Sequence, residues 1–202
     1  MPRDRIVWKQ ATERLREDPS FGPLIERVGP VRLRARRGTP FESLAASICY
    51  QQLAGKAART IHGRFVDALG GEVTPKRVLA TPEERLRAAG LSAAKLAAIR
   101  DLAQKSTSGE VSLDGLDEQS DEEVIASLTR VRGVGVWTAQ MYLLFELERP
   151  DVWPIGDLGV RAGLGRTLGF ATAPNPRETE LIGFGYRPWR SALAWYCWRA
   201  LE

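Results

Sequence analysis

Leu128-Thr129-Arg130-Val131-Arg132-Gly133-Val134-Gly135-Val136-Trp137-Thr138-Ala139 joins two apolar segments of helical period through a Gly-Val-Gly turn. Glycine lets a backbone turn with positive φ and lets a second backbone come close. The amides that open the following helix point outward with the helix dipole behind them. They form an anion site suited to a DNA phosphate. A plain helical hairpin would need the same glycines for geometry alone. The second helix runs on into Pro150-Asp151-Val152-Trp153-Pro154-Ile155-Gly156-Asp157-Leu158-Gly159-Val160-Arg161. Asp157 stands at the expected start of a helix, where aspartate is a good N-cap. The same carboxylate, aimed into a cleft, would stabilise an oxocarbenium-like sugar while a glycosidic bond breaks. The two roles are compatible, because one oxygen can cap while the other faces a substrate.

Outward from this stretch the punctuation is helical. Thr39-Pro40-Phe41-Glu42 reads as a capping box with proline at the first helical position, and Phe41, Leu44, Ala45 and Ile48 follow at helical spacing. Ala57 to Leu69 reads as a helix stopped by Gly70-Gly71. Thr81-Pro82-Glu83-Glu84 reads as a second box and Ser120-Asp121-Glu122-Glu123 as a third. Ser92 starts a helix carrying Leu96, Ile99 and Leu102, with Ser106 to Gly109 expected to break it. Trp137 to Leu147 reads as a strongly apolar, buried helix, and Arg177 to Ile182 and Trp189 to Leu201 as the last two. Only Val31-Arg32-Leu33-Arg34 alternates like a strand, too short to carry a sheet. The expected class is all-α, with about nine or ten short helices.

Composition bounds the rest. A chain of 202 residues is long enough to bury a core without metal or disulfide staples. With 44% hydrophobic and 27% charged residues it is an ordinary globular composition. No apolar run approaches the ~18 residues of a membrane span. Met1 to Arg5 is charged, with no apolar stretch behind it, so a signal peptide is not expected. Cys49 and Cys197 are too few for a disulfide framework, and an intracellular compartment is the default. Lys and Arg number 29 against 25 acids, a net charge of +4. Arg32, Arg34, Arg36 and Arg37 cluster, as do Arg187, Arg190 and Arg199, and such runs are usually solvated faces. The lone histidine, His62, argues against a His-based metal site or a Ser-His-Asp triad.

The hairpin Val131 to Ala139 and the loop Trp153-Pro154-Ile155-Gly156-Asp157-Leu158-Gly159 together resemble the helix-hairpin-helix (HhH-GPD) superfamily of DNA glycosylases. Within it the likeness is to the 3-methyladenine DNA glycosylase II (AlkA-like) branch. Ser47-Ile48-Cys49-Tyr50-Gln51-Gln52-Leu53-Ala54-Gly55-Lys56-Ala57-Ala58 resembles the family's Q-Q-L/I motif, and Arg187-Pro188-Trp189-Arg190-Ser191 its P-W-R-S segment. These motifs occur in the family's order and span residues 40 to 200. The resemblance implies one compact all-helical unit, 1–202, with two helical subdomains and the active-site cleft between them. Residues 1–40 and about 160–202 would form one subdomain. Residues about 41–159, containing the helix-hairpin-helix at about 121–147, would form the other. The N-terminal sheet domain of some relatives has no room here.

By the same resemblance Asp157 matches the catalytic aspartate. Gly133, Val134, Gly135, Trp137 and Thr138 match the DNA-binding hairpin, with Gln51, Gln52 and Leu53 beside them. Leu53 matches the wedge that fills the gap left by an extruded nucleotide, although a leucine there would equally serve core packing. Trp137, Met141 and Trp198 match base-pocket positions, and tryptophans of a helical protein must also pack somewhere. Backbone oxygens of Thr129, Val131 and Val134 match a structural Na⁺ or K⁺ site. No cofactor is required, and the cysteine count excludes the family's iron–sulfur cluster. Bifunctional relatives carry a lysine where this chain has Trp137, so no Schiff base is expected. The implied function is a monofunctional glycosylase that flips alkylated purines of the 3-methyladenine and 7-methylguanine type from duplex DNA and hydrolyses the N-glycosidic bond. Cationic purines leave readily, and an aromatic pocket favours them by cation–π attraction. A glycosylase for deaminated, etheno or oxidised bases and a non-catalytic DNA-binding module stand as alternatives. The expected partner is damaged double-stranded DNA, bound by a monomer away from membranes, in the bacterial cytoplasm or a eukaryotic nucleus.

Overall fold

The computed structural model describes residues 3–33, 38–53 and 55–202. Arg34, Arg36 and Arg37 of the first arginine cluster, and Ala54 of the Q-Q-L segment, lie outside them. The elements in chain order are α1 (Arg3–Arg16), α2 (Gly22–Val28), α3 (Pro40–Tyr50), α4 (Gly55–Ala68), α5 (Pro75–Ala80) and α6 (Glu83–Ala88). There follow α7 (Ala93–Ser108), α8 (Asp121–Leu128), α9 (Val136–Phe145), α10 (Leu158–Leu168), α11 (Pro176–Gly183), a 3₁₀ turn (Phe184–Tyr186) and α12 (Arg190–Arg199). Among the described residues every element is helical, and none of these helices is long and apolar enough to cross a membrane. Val31 to Leu33 is irregular, with the Val31 amide donating to Thr12 Oγ1 at 3.3 Å.

The helix signals act where the backbone needs them. Thr39 and Ser120 form reciprocal capping boxes with Glu42 and Glu123. A third box, Asn175 with Glu178, starts α11. Ser92 caps α7 through the Lys95 amide. Thr81 does not form the expected box: its hydroxyl donates to Arg77 O at 2.7 Å, closing α5, and Pro82 begins α6 without a side-chain cap. Nor do Ser106, Thr107 and Ser108 break α7. The first two hydroxyls donate back to Leu102 O and Ala103 O at 2.7 and 2.8 Å, so the helix absorbs them. It ends at Gly109, whose φ of +78° suits glycine.

The chain divides into two compact units, Met1–Ala35 with Leu143–Glu202, and Arg36–Tyr142. The second break falls at Leu143 rather than near residue 159. The segment after α9 is bonded to α12: Ser191 N donates to Pro150 O at 3.0 Å and Val152 N to Ser191 Oγ at 2.8 Å. In the first unit α12 is central, with Ser191 through Cys197 all buried. Tyr196 is fully enclosed, and its hydroxyl donates to Gly29 O at 3.0 Å. Helix α10 packs on α12 closely enough that a Cβ on Gly163 would lie 1.8 Å from Cys197 O. In the second unit Phe41, Leu44 and Ile48 of α3 are buried, as are Phe65 of α4, Val78 of α5, Leu96, Ile99 and Leu102 of α7, and Val124 and Leu128 of α8.

This packing sets opposite expectations for two helical glycines. Gly163→Ala forces backbone against backbone and should destabilise the protein by roughly 1–3 kcal/mol or more. Gly63→Ala in α4 has nothing within 4 Å of the new methyl and should stabilise it by about 0.5–1 kcal/mol. Urea unfolding of both variants measures the pair.

Candidate functional site

In the Arg36–Tyr142 unit the hairpin follows α8 directly. The Thr129 hydroxyl folds back onto Ile125 O at 2.7 Å, Val131 N donates to Leu128 O, and Val134 N donates to Val131 O at 3.1 Å. Gly133 takes φ +74°, and a Cβ there would stand 3.2 Å from Ala98 Cβ on α7. The two valines are buried and pin the turn, while Gly133, Gly135, Val136 and Trp137 are exposed. The start of α9 is thus solvent-exposed, and an exposed helix start is where an anion site can form. Thr138, by contrast, is buried. Trp137, Met141 and Phe145 recur at intervals of four along α9.

Gln51, Gln52 and Leu53 follow α3, and Gln51 reaches this turn. Gln51 Nε2 donates to Gly133 O at 3.0 Å and lies 3.4 Å from Thr138 Oγ1, so this amide serves the hairpin. Gln52 adopts φ +54°, a left-handed conformation that costs a non-glycine residue about 1 kcal/mol or more. The strain turns the chain sharply, and Leu53 emerges 38% exposed. An apolar side chain presented by a strained turn is poor core packing. Sequence periodicity carries no signal for that strain.

In the Leu143–Glu202 part of the other unit, Asp157 caps α10. Its Oδ1 accepts the Val160 amide at 2.7 Å and the Trp198 indole Nε1 at 3.0 Å. Gly159 makes this possible, since a Cβ there would lie 2.9 Å from Trp198 Cδ1. Phe145 stacks on Trp198 with centroids 5.7 Å apart and planes 24° from parallel. The neighbouring Cys197 thiol is pushed up in pKa by burial and further by the Asp157 charge, so it stays protonated. The loop before Asp157 is fastened at several points. Arg190 clamps Asp151 with Nε–Oδ1 and Nη2–Oδ2 contacts of 2.7 and 2.8 Å, Ser191 Oγ donates to Arg149 O at 2.6 Å, and the Trp153 indole donates to Thr179 O at 2.9 Å. The second carboxylate of the segment, Asp151, is thus a structural anchor. Phe145, Gly159, Arg190 and Ser191 join the site through these contacts. The P-W-R-S segment was the signal for the last two.

Asp157 and Trp198 are brought together in one unit, and Gln51, Gly133 and Thr138 in the other. Among the described residues no group of three His, Cys, Asp or Glu side chains is placed to hold a metal ion.

Known proteins resemble this chain in sequence and fold. The sequence profile of the HhH-GPD superfamily of base excision DNA repair proteins matches residues 45–183. DNA-3-methyladenine glycosylase 1 of Schizosaccharomyces pombe is 32% identical over 191 residues, which is 90% of this chain and 82% of the relative. The solved 3-methyladenine DNA glycosylase of that yeast, in complex with abasic DNA, superposes with a TM-score of 0.82 over 94% of this chain and 95% of its own. A DNA-3-methyladenine glycosidase from Bacillus halodurans, 31% identical, gives a TM-score of 0.82 over 94% of this chain and 88% of its own. The chain belongs to the HhH-GPD superfamily of base excision DNA repair proteins.

Proposed function

We propose that this chain is a monofunctional DNA glycosylase that removes alkylated purines, of the 3-methyladenine and 7-methylguanine type, from duplex DNA. The observation that carries the reading is the Asp157 carboxylate, fixed by the Val160 amide and the Trp198 indole at the head of α10. The relatives named for 3-methyladenine removal support the choice of substrate. In this reading the hairpin at Gly133 and Gly135, pinned by the buried Val134, holds a backbone phosphate at the start of α9, and Leu53 fills the stack where the nucleotide leaves. Oδ1 of Asp157 is committed to its two donors, and the carboxylate charge stabilises the developing oxocarbenium sugar. Positively charged alkylpurines need little acid assistance to depart, which suits a site with a carboxylate and no histidine. Trp137 and Met141 on α9, and separately Trp198 beside Asp157, are aromatic and soft apolar side chains of the kind that suits such a base. The backbone oxygens of Thr129, Val131 and Val134 are neutral hard donors. That set fits a monovalent cation, which would brace the turn and add positive charge beside the phosphate. The protein would act as a monomer on DNA inside the cell.

Asp157→Asn keeps an oxygen for the Val160 amide and removes the charge. It should cut single-turnover base release by at least about 10²-fold while thermal stability and DNA binding change little. Turnover by the variant close to that of the unaltered chain would remove Asp157 from the chemistry.

Leu53→Ala should slow release from alkylated duplex by roughly ten- to a hundredfold, the scale of losing one unstacking compensation. Release from the same lesion in a single strand should change little. Equal losses on both substrates would make Leu53 a packing residue.

The product should be an intact strand with an abasic site. No lysine lies between residues 106 and 202, and Trp137 stands where bifunctional relatives hold an amine. End-labelled alkylated duplex should break only after alkali, and borohydride should trap no protein–DNA adduct. Breakage without alkali, with a trapped adduct, would overturn the monofunctional assignment.

A further inference from the structure

The hairpin turn is gripped from outside by a charged pair on α7. Lys105 Nζ donates to Arg130 O at 2.6 Å and lies 3.1 Å from Asp101 Oδ2. That same Asp101 oxygen accepts the Arg132 amide at 2.7 Å. Both side chains are only about one-fifth exposed, at 23% for Asp101 and 22% for Lys105, so solvent screens them incompletely. Glu110 stands further off, 3.9 Å from Lys105 and 3.6 Å from Arg130. Burial alone would raise the Asp101 pKa, but the Arg132 amide and the Lys105 ammonium outweigh it and hold the carboxyl below its ordinary value.

Geometry alone would need only the carboxylate, which orients the amide of Arg132 in the middle of the turn. A carboxylate bonded to that amide, however, lies within a Debye length of any phosphate held by its neighbours, and it opposes that phosphate. Lys105 answers both demands. It fixes the carbonyl of Arg130 and cancels the charge of Asp101. We propose that Asp101 and Lys105 are positioning residues for the phosphate-binding turn: Asp101 sets its amides, and Lys105 sets its carbonyl while neutralising Asp101. The inference rests on the hairpin being the DNA anchor.

The electrostatic half separates this role from ordinary structural support, because the two members of the pair should respond differently. Asp101→Asn keeps an acceptor for Arg132 and discards the negative charge. Lys105→Met keeps the aliphatic stem and leaves Asp101 uncompensated. Binding is read by fluorescence anisotropy on a duplex containing an abasic site, at low and physiological salt. Catalysis is read as single-turnover base release from alkylated duplex at saturating enzyme. Lys105→Met should weaken binding by roughly three- to tenfold, more at low salt. Asp101→Asn should bind as tightly as the unaltered chain or more tightly, and the double variant should recover most of the Lys105→Met loss. The saturating rate should stay within about twofold throughout, a KM effect without a kcat effect. Gly135→Glu, an exposed position with nothing within 4 Å, puts a carboxylate on the turn and should weaken binding in any case if the hairpin holds phosphate. If Gly135→Glu weakens binding but the two single variants weaken it alike, or Lys105→Met leaves it unchanged, the positioning role is wrong. Unchanged binding by Gly135→Glu would overturn the hairpin reading instead, and the inference with it.

Discussion

Oδ1 of Asp157 takes two donors at once, the Val160 amide from its own helix and the Trp198 indole from α12, and much of the Leu143–Glu202 segment is arranged so that it can. The indole reaches the carboxylate only because α10 and α12 lie almost backbone to backbone at Gly163. Gly159 then leaves room for the ring against the first turn of α10. The approach of the loop to Asp157 is held by Arg190 on Asp151 and Ser191 on Arg149, both supplied by the start of α12. One helix therefore orients the carboxylate from one side and anchors its loop from the other. Such over-determination is what a group with a fixed geometric task requires, since a displacement of about 1 Å at a reacting centre is costly.

The hairpin solves the opposite problem. A turn proposed to hold an outside ligand has few amides to spend on itself, yet an unsupported turn is mobile. Here much of the support falls on side chains and carbonyls. Val131 and Val134 are buried as side chains, Gln51 takes the carbonyl of Gly133, and Lys105 takes that of Arg130. Carbonyls are the groups an anion site can afford to lose. The Val131 and Val134 amides bond to backbone carbonyls, and the acid that takes the Arg132 amide comes with its own counter-charge.

The helical class was legible because capping is local. Thr39-x-x-Glu42 and Ser120-x-x-Glu123 need only their own first turns, and both boxes form as the sequence implies. Thr81 has the same pattern, but a hydroxyl there can also close the preceding helix, and α5 claims it. The break expected at Ser106 failed because serine and threonine hydroxyls can bond back to carbonyls four residues earlier. The N-cap role of Asp157 was legible from its place at the expected start of a helix. What holds it was not, because Trp198 is 41 residues away and Gly159 matters only through that ring. The positive φ of Gln52 and the hairpin tie of Gln51 are likewise tertiary facts with no periodic trace.

The chemistry proposed for this site depends on what surrounds Asp157 as much as on its carboxylate. A second nucleophile there would compete with water for the oxocarbenium sugar. Cys197 is the nearest thiol in sequence to Trp198, but burial and the Asp157 charge both disfavour its thiolate. No lysine follows residue 105, so no amine of the C-terminal half can form an imine with the sugar. His62, the single histidine, packs against Tyr50 with ring centroids 5.9 Å apart, and burial lowers its pKa and favours the neutral form. It belongs to the Arg36–Tyr142 unit. A carboxylate with an inert thiol beside it and an indole locking one oxygen can stabilise a cation and admit water, but it protonates a leaving group poorly. For the proposed function, that combination suits bases that are already cationic, as alkylated purines are.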